Sequence, residues 1–146
     1  MKREQAKPKY VAWLSAETMH KSSRKWLSEL MFIKDEQLFF NDLIKSYTLQ
    51  LVDSKHFEKS KKLVDNLSAL QKRTNVLIES VKTHETDLKI MVDGINQPKE
   101  EQAYKEEHRG LIILISEFHL EYNALKTQLF KLVKSIIKTL KHLLKQ

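Results

Sequence analysis

A chain of 146 residues is about one domain of polypeptide, enough to bury roughly two-thirds of the surface it exposes when unfolded. Two Gly and two Pro against 31% charged residues suit long helices and leave little for turns or strands, and the lack of Cys excludes thiolate metal sites, disulfides and a Cys nucleophile. The net charge of +7 rests on 22 Lys and only 4 Arg, a mix that favours diffuse attraction to anions over bidentate reading of phosphates or guanine edges, so sequence-specific nucleic-acid binding is not expected.

Residues 1–14 are basic, contain Pro8, and end in Tyr10, Val11, Trp13 and Leu14, which reads as a flexible arm ahead of a single bundle domain over 15–146. Met1 to Leu14 lacks the apolar core of a signal peptide, and no stretch reaches the roughly 18 apolar residues of a membrane span, so a soluble, cytoplasmic protein is expected. Ser15 is a candidate N-cap with Glu17 in the first turn, where the helix dipole favours a carboxylate. Steps of three and four then run Ala16, Met19, Ser23, Trp26, Leu30, Ile33, Gln37, Phe40, Ile44, Tyr47 and Leu51, predicting a first helix over 15–52 with weak opening turns and a candidate break near Ser22 and Ser23.

Asp53 and Ser54 form the expected reversal. The second helix, near 56–94, follows the steps Leu63, Leu67, Leu70, Thr74, Leu77, Val81, His84, Leu88 and Met91, with Gly94 as its left-handed stop. Pro98, followed by Glu100 and Glu101, opens the third, near 98–144. This is the longest pattern in the chain, a heptad seam from Tyr104 through His108, Leu111, Ile115, Phe118, Tyr122, Leu125, Leu129, Leu132 and Ile136 to Thr139 and Leu143. Short connections make neighbours antiparallel. The expected fold is therefore all-α, an antiparallel up-down-up three-helix bundle of long coiled-coil-like helices. Flanking residues such as Phe32, Phe39, Leu43, Phe57, Val64, Ile78, Ile112, Leu114 and Val133 predict apolar faces wider than a two-position seam.

Folding the chain at its two turns sets His84 level with His108 and next to Trp26 and Glu29. A metal-binding reading, zinc or iron on His84, His108 and Glu29 with Glu85 or Glu107 in support, competes with a polar layer that pins helix register. A second layer joins Gln37, Thr74 and His119, with Glu36 and Glu117 near it. Standard metal motifs fail: Glu17 and His20 make one Glu-x-x-His where a di-iron bundle needs two, and His84-Glu85 is followed by Leu88 where a zinc protease needs His. No Gly-rich phosphate loop or nucleophile elbow is present; neither catalysis nor a cofactor is expected.

The basic end of the third helix is the larger signal. Lys131, Lys134, Lys138, Lys141 and Lys145 recur at helical spacing beside Leu129, Leu132, Ile136, Leu140 and Leu143, and Lys55, Lys59, Lys61 and Lys62 are expected at the same end. Residues 137–146 are expected to protrude beyond the other helices, with an apolar stripe that needs cover. The functional expectation is a non-enzymatic interaction or scaffold module that meets a protein partner through this surface: a second copy in a symmetric homodimer, an acidic partner, or an anionic membrane surface.

Overall fold

The computed structural model describes residues 15–52, 57–93 and 98–145. Among them are four helices and no strand: α1 Ala16–Ser46, α2 Thr48–Val52, α3 Phe57–Asp93 and α4 Pro98–Leu144. The expected arm at 1–14, the reversal at Asp53 and Ser54, Lys55 and the stop at Gly94 lie outside the described residues.

Helix starts follow the sequence signals. The Ser15 hydroxyl accepts the Thr18 N–H at 3.1 Å, and its carbonyl accepts the Met19 N–H at 2.9 Å, so Ser15 caps α1. Pro98 is the first residue of α4, where its missing N–H has no helical partner to lose. The serines at 22 and 23 do not break α1; Ser23 is buried within it.

The expected continuous first helix over 15–52 is corrected at Tyr47, a turn residue between α1 and α2. Its N–H is shared between the Leu43 carbonyl at 3.1 Å and the Ile44 carbonyl at 3.2 Å, a tightened last turn. Hydroxyls add to the strain on the ladder: Ser46 donates to Asp42 O, and Thr48 to both Ile44 O and Lys45 O, each at 3.0 Å. Side chains that take carbonyls in this way bend and interrupt helices.

The chain divides into two compact units, Met1–Met31 with Val76–Ser116, and Phe32–Asn75 with Glu117–Gln146. In the first, Met19 of α1, Leu88 of α3 and Tyr104 of α4 form a buried cluster against which Ala16 and Met91 pack. Trp26 lies on His108 with ring centroids 4.7 Å apart, so α1 and α4 run in one direction here, Met19 with Tyr104 and Trp26 with His108. His84 meets His108 while Leu88 meets Tyr104, so α3 runs the other way.

In the second unit the same order recurs. Glu36 meets Tyr122 and Phe40 meets Phe130, which keeps α1 parallel to α4. Arg73 pairs with Glu121, and Lys59, Lys62 and Leu63 share a groove with Gln128 and Lys131, which sets α3 antiparallel. Every seam residue of α4 from Tyr104 to Ile136 is buried; Thr139 and Leu143 are exposed, and from Ile137 to Lys145 no residue is buried.

The wide apolar faces expected from the sequence are largely not buried. Ile78 joins the core, but Phe32, Phe39, Phe57 and Leu114 are exposed and Leu43, Val64, Ile112 and Val133 only half-buried. Three helices in contact cover little beyond the two-position seam, because a residue one step off it points toward solvent.

Candidate functional site

The histidines stand together as the register predicts. Both His84 and His108 are wholly buried in the first unit. His84 Nδ1 lies 2.8 Å from Glu107 Oε1, and His84 Nε2 lies 2.9 Å from His108 Nδ1. A carboxylate only accepts, so Nδ1–H of His84 donates to Glu107. With one proton on each ring, His84 Nε2 then accepts from Nδ1–H of His108, and the His108 Nε2 lone pair is left buried with no hydrogen-bond partner.

Aromatic rings hold this chain flat. Tyr104 stacks on His84 at 4.0 Å and 3°, and Trp26 covers His108. Burial, and then the neighbouring His84, push the His108 imidazole down to about 4, so the ring stays neutral across the physiological range. Burial together with the carboxylates of Glu85, Glu107 and Asp87 raises the Tyr104 phenol far above its ordinary value, so it remains a neutral hydroxyl. A second carboxylate–histidine pair, His20 Nδ1 to Glu85 Oε2 at 2.7 Å, adjoins them.

The metal trio of the sequence reading is not assembled. Both ring nitrogens of His84 are engaged by Glu107 and His108, Glu29 pairs with Lys25 at 4.0 Å, and among the described residues no group of three His, Asp or Glu is placed to hold a metal ion. Glu107, expected as support for a ligand set, instead orients His84. The arrangement fixes one rotamer and one tautomer at each ring, a geometry compatible with a register-pinning layer.

In the second unit Gln37 donates to Thr74 Oγ1 at 3.0 Å, and the Thr74 hydroxyl in turn donates to Leu70 O at 2.8 Å, so both amide and hydroxyl are used. His119, expected in this layer, lies beside the Phe118 ring. Glu36 instead accepts from Tyr122 at 2.7 Å and from Lys126 at 3.2 Å. This acceptor, with burial as the larger cause, holds the Tyr122 phenol protonated.

The basic residues do converge. Lys59 and Lys62 of α3 and Lys131 of α4 line one groove of about 550 Å³ with the amides of Asn66 and Gln128 over Leu63, and no carboxylate lines it. Lys134, Lys138 and Lys141 continue along exposed α4, with Lys145 in the turn just past its end. Beside them the apolar stripe expected over 137–146 extends back as a second heptad row, Phe130, Val133, Ile137, Leu140 and Leu144, stepping three and four, all exposed or half-buried. Phe130 is its one member not named from the sequence, legible as an apolar residue one position off the main seam.

Sequence reasoning also passed over His20 with Glu85 and over Tyr104 as the lid on His84. Both were findable, since Glu85 adjoins His84 and Tyr104 sits one turn before His108 on the seam. A last feature is acidic: Asp87, Glu100 and Glu107 border a groove beside Tyr104 in the first unit.

No protein-family model matches the chain, and neither does any curated protein or solved structure with which it was compared. Among the described residues, no helix is long and apolar enough to cross a membrane.

Proposed function

We propose that this chain is a non-enzymatic helical interaction module whose contact element is the C-terminal part of α4, and that its partner is acidic protein surface. One observation carries the reading: the 25 residues from Tyr122 to Gln146 hold six Lys and no carboxylate, while apolar side chains in the same stretch stand in solvent, Leu144 at 87% and Leu143 at 59% exposure. An exposed stripe of this kind forfeits burial free energy of about 25 cal/mol per Å², and a covering helix recovers it. Lysines along one flank of the stripe then select acidic partners and repel basic ones. Lys59 and Lys62, gathered with Lys131, extend the positive field onto α3. The buried histidine layer supports a structural rather than a catalytic role, since both nitrogens of His84 and Nδ1 of His108 are spent on one another and on Glu107 and both rings are shut off from solvent.

The test uses labelled poly-L-glutamate and, separately, vesicles containing anionic lipid. The full chain is expected to bind poly-L-glutamate at low salt and to lose at least an order of magnitude in affinity between about 0.05 and 0.3 M salt, as exposed charge contacts are screened. Removal of everything after Ser135 is expected to abolish this binding with the helical circular dichroism otherwise retained. Unchanged binding by the truncated chain refutes the reading, and binding to vesicles but not to poly-L-glutamate replaces it with an anionic membrane surface.

A further inference from the structure

We infer that the acidic surface recognised by the basic stripe of α4 is the groove between α3 and α4 in the first unit of a second copy, so that the chain associates with itself through two different surfaces. This rests on the proposed function and names its partner.

The groove has a volume of about 280 Å³ and is bordered by the carboxylates of Asp87, Glu100 and Glu107. Its apolar lining is Ile90, Met91 and Ala103, and Ile90 stands 65% exposed. Apolar surface inside a ring of negative charge matches a helix that offers an apolar stripe flanked by ammonium groups. Tyr104 supplies an independent sign of a ligand. Its ring is 5% exposed and lines the groove, yet its hydroxyl is buried with no hydrogen-bond partner. A buried hydroxyl left in this condition is costly, and a ligand that opens the groove far enough to reach it recovers that cost, while a lysine ammonium laid along the groove meets the carboxylates.

The α4 stripe has the complementary form. Lys134, Lys138 and Lys141 are spaced four and three apart beside Ile137 and Leu140, so one helical face delivers ammonium groups and apolar side chains together. A symmetric pairing of two such stripes, the homodimer expected from the sequence, places lysine against lysine, because no carboxylate follows Glu121 to offset them. The groove provides what the stripe lacks. Since surface and counter-surface differ, each copy has one of each to offer, and association is heterologous.

Neutralised variants of the full chain test this in sedimentation velocity. One, Asp87→Asn with Glu100→Gln, keeps the stripe and loses two of the three groove carboxylates; the other, Lys138→Gln with Lys141→Gln, keeps the groove and loses stripe charge. All four positions are exposed, and circular dichroism checks that each variant is folded. The unaltered chain is expected to associate with rising concentration and to dissociate with salt. Each variant alone is expected to associate at least about tenfold more weakly, and their equimolar mixture to form a one-to-one complex, since one intact stripe meets one intact groove. Self-association of the groove variant at full strength means stripe pairs with stripe and overturns the inference. A chain that stays monomeric yet binds poly-L-glutamate in a Lys138- and Lys141-dependent manner overturns the inference while leaving the proposed function standing; loss of both dependences ends both.

Discussion

Phe118→Ala is expected to destabilise the protein by about 3–5 kcal/mol, a large part of the roughly 5–15 kcal/mol that holds a domain of this size folded. Phe118 is wholly buried, stacks toward Tyr122 with centroids 6.0 Å apart, and carries the Arg73 guanidinium 5.7 Å above its ring. Truncation therefore opens a cavity and also removes the surface on which Arg73 is laid toward Glu121. Urea denaturation followed by circular dichroism reads the loss as a lower midpoint at unchanged slope. Leu120→Ala, two residues along the same helix at 74% exposure, is the control and is expected to stay within about 0.5 kcal/mol. Equal effects at the two positions would mean that the α4 seam is not the core.

The second large effect is on pH. His108 has its proton affinity lowered from the ordinary 6.5 to about 4, so between those values the unfolded chain takes up a proton that the folded chain refuses. By linkage, stability is complete above about 6.5 and declines as pH falls toward about 4, with a total loss of roughly 3 kcal/mol. The groups responsible face the ring: Trp26 from α1, which helps to bury it, and His84 from α3; the Glu107 carboxylate faces His84 and works against the shift. Midpoints measured across this window are expected to fall in the unaltered chain. In His108→Gln, whose amide N–H still reaches His84 Nε2, the slope between pH 6.5 and 4 is expected to flatten. A slope that survives the substitution assigns the acid sensitivity to other groups.

Much of this was legible in the sequence because period and polarity agree along the seams. Met19, Leu30, Ile33 and Phe40, Leu63 through Leu88, and Tyr104 through Ile136 are buried where the three-and-four steps place them. The level of His84 with His108 follows from two turn positions and the rise of a helix. Other features are not carried by periodicity. The break at Tyr47 depends on hydroxyls at 46 and 48 taking carbonyls, a contest between side chain and ladder that reads in sequence only as two ordinary polar residues. Likewise, the partner of each histidine is fixed by rotamers: Glu107 reaches His84, Glu85 reaches His20, and Glu29 meets Lys25. Spacing identifies the neighbourhood of a carboxylate but not which of several will turn toward the ring.

Among the described residues, the unpartnered buried polar atoms are unevenly spread. Ser23 Oγ, Glu85 Oε1, Tyr104 OH and His108 Nε2 all belong to the first unit, against Gln50 Oε1 in the second. Each such atom costs about 1–3 kcal/mol in the folded state and nothing once water reaches it. Gly110, helical and with nothing within 4 Å of where a Cβ would stand, weakens the same unit by about 1 kcal/mol relative to alanine. The two units thus differ in the free energy needed to open them, although each is built on the same three-helix seam. Amide hydrogens of α3 near Val81 to Leu88 should exchange through local openings well before those near Leu67 to Thr74, so that of the two buried polar layers the histidine layer breathes first.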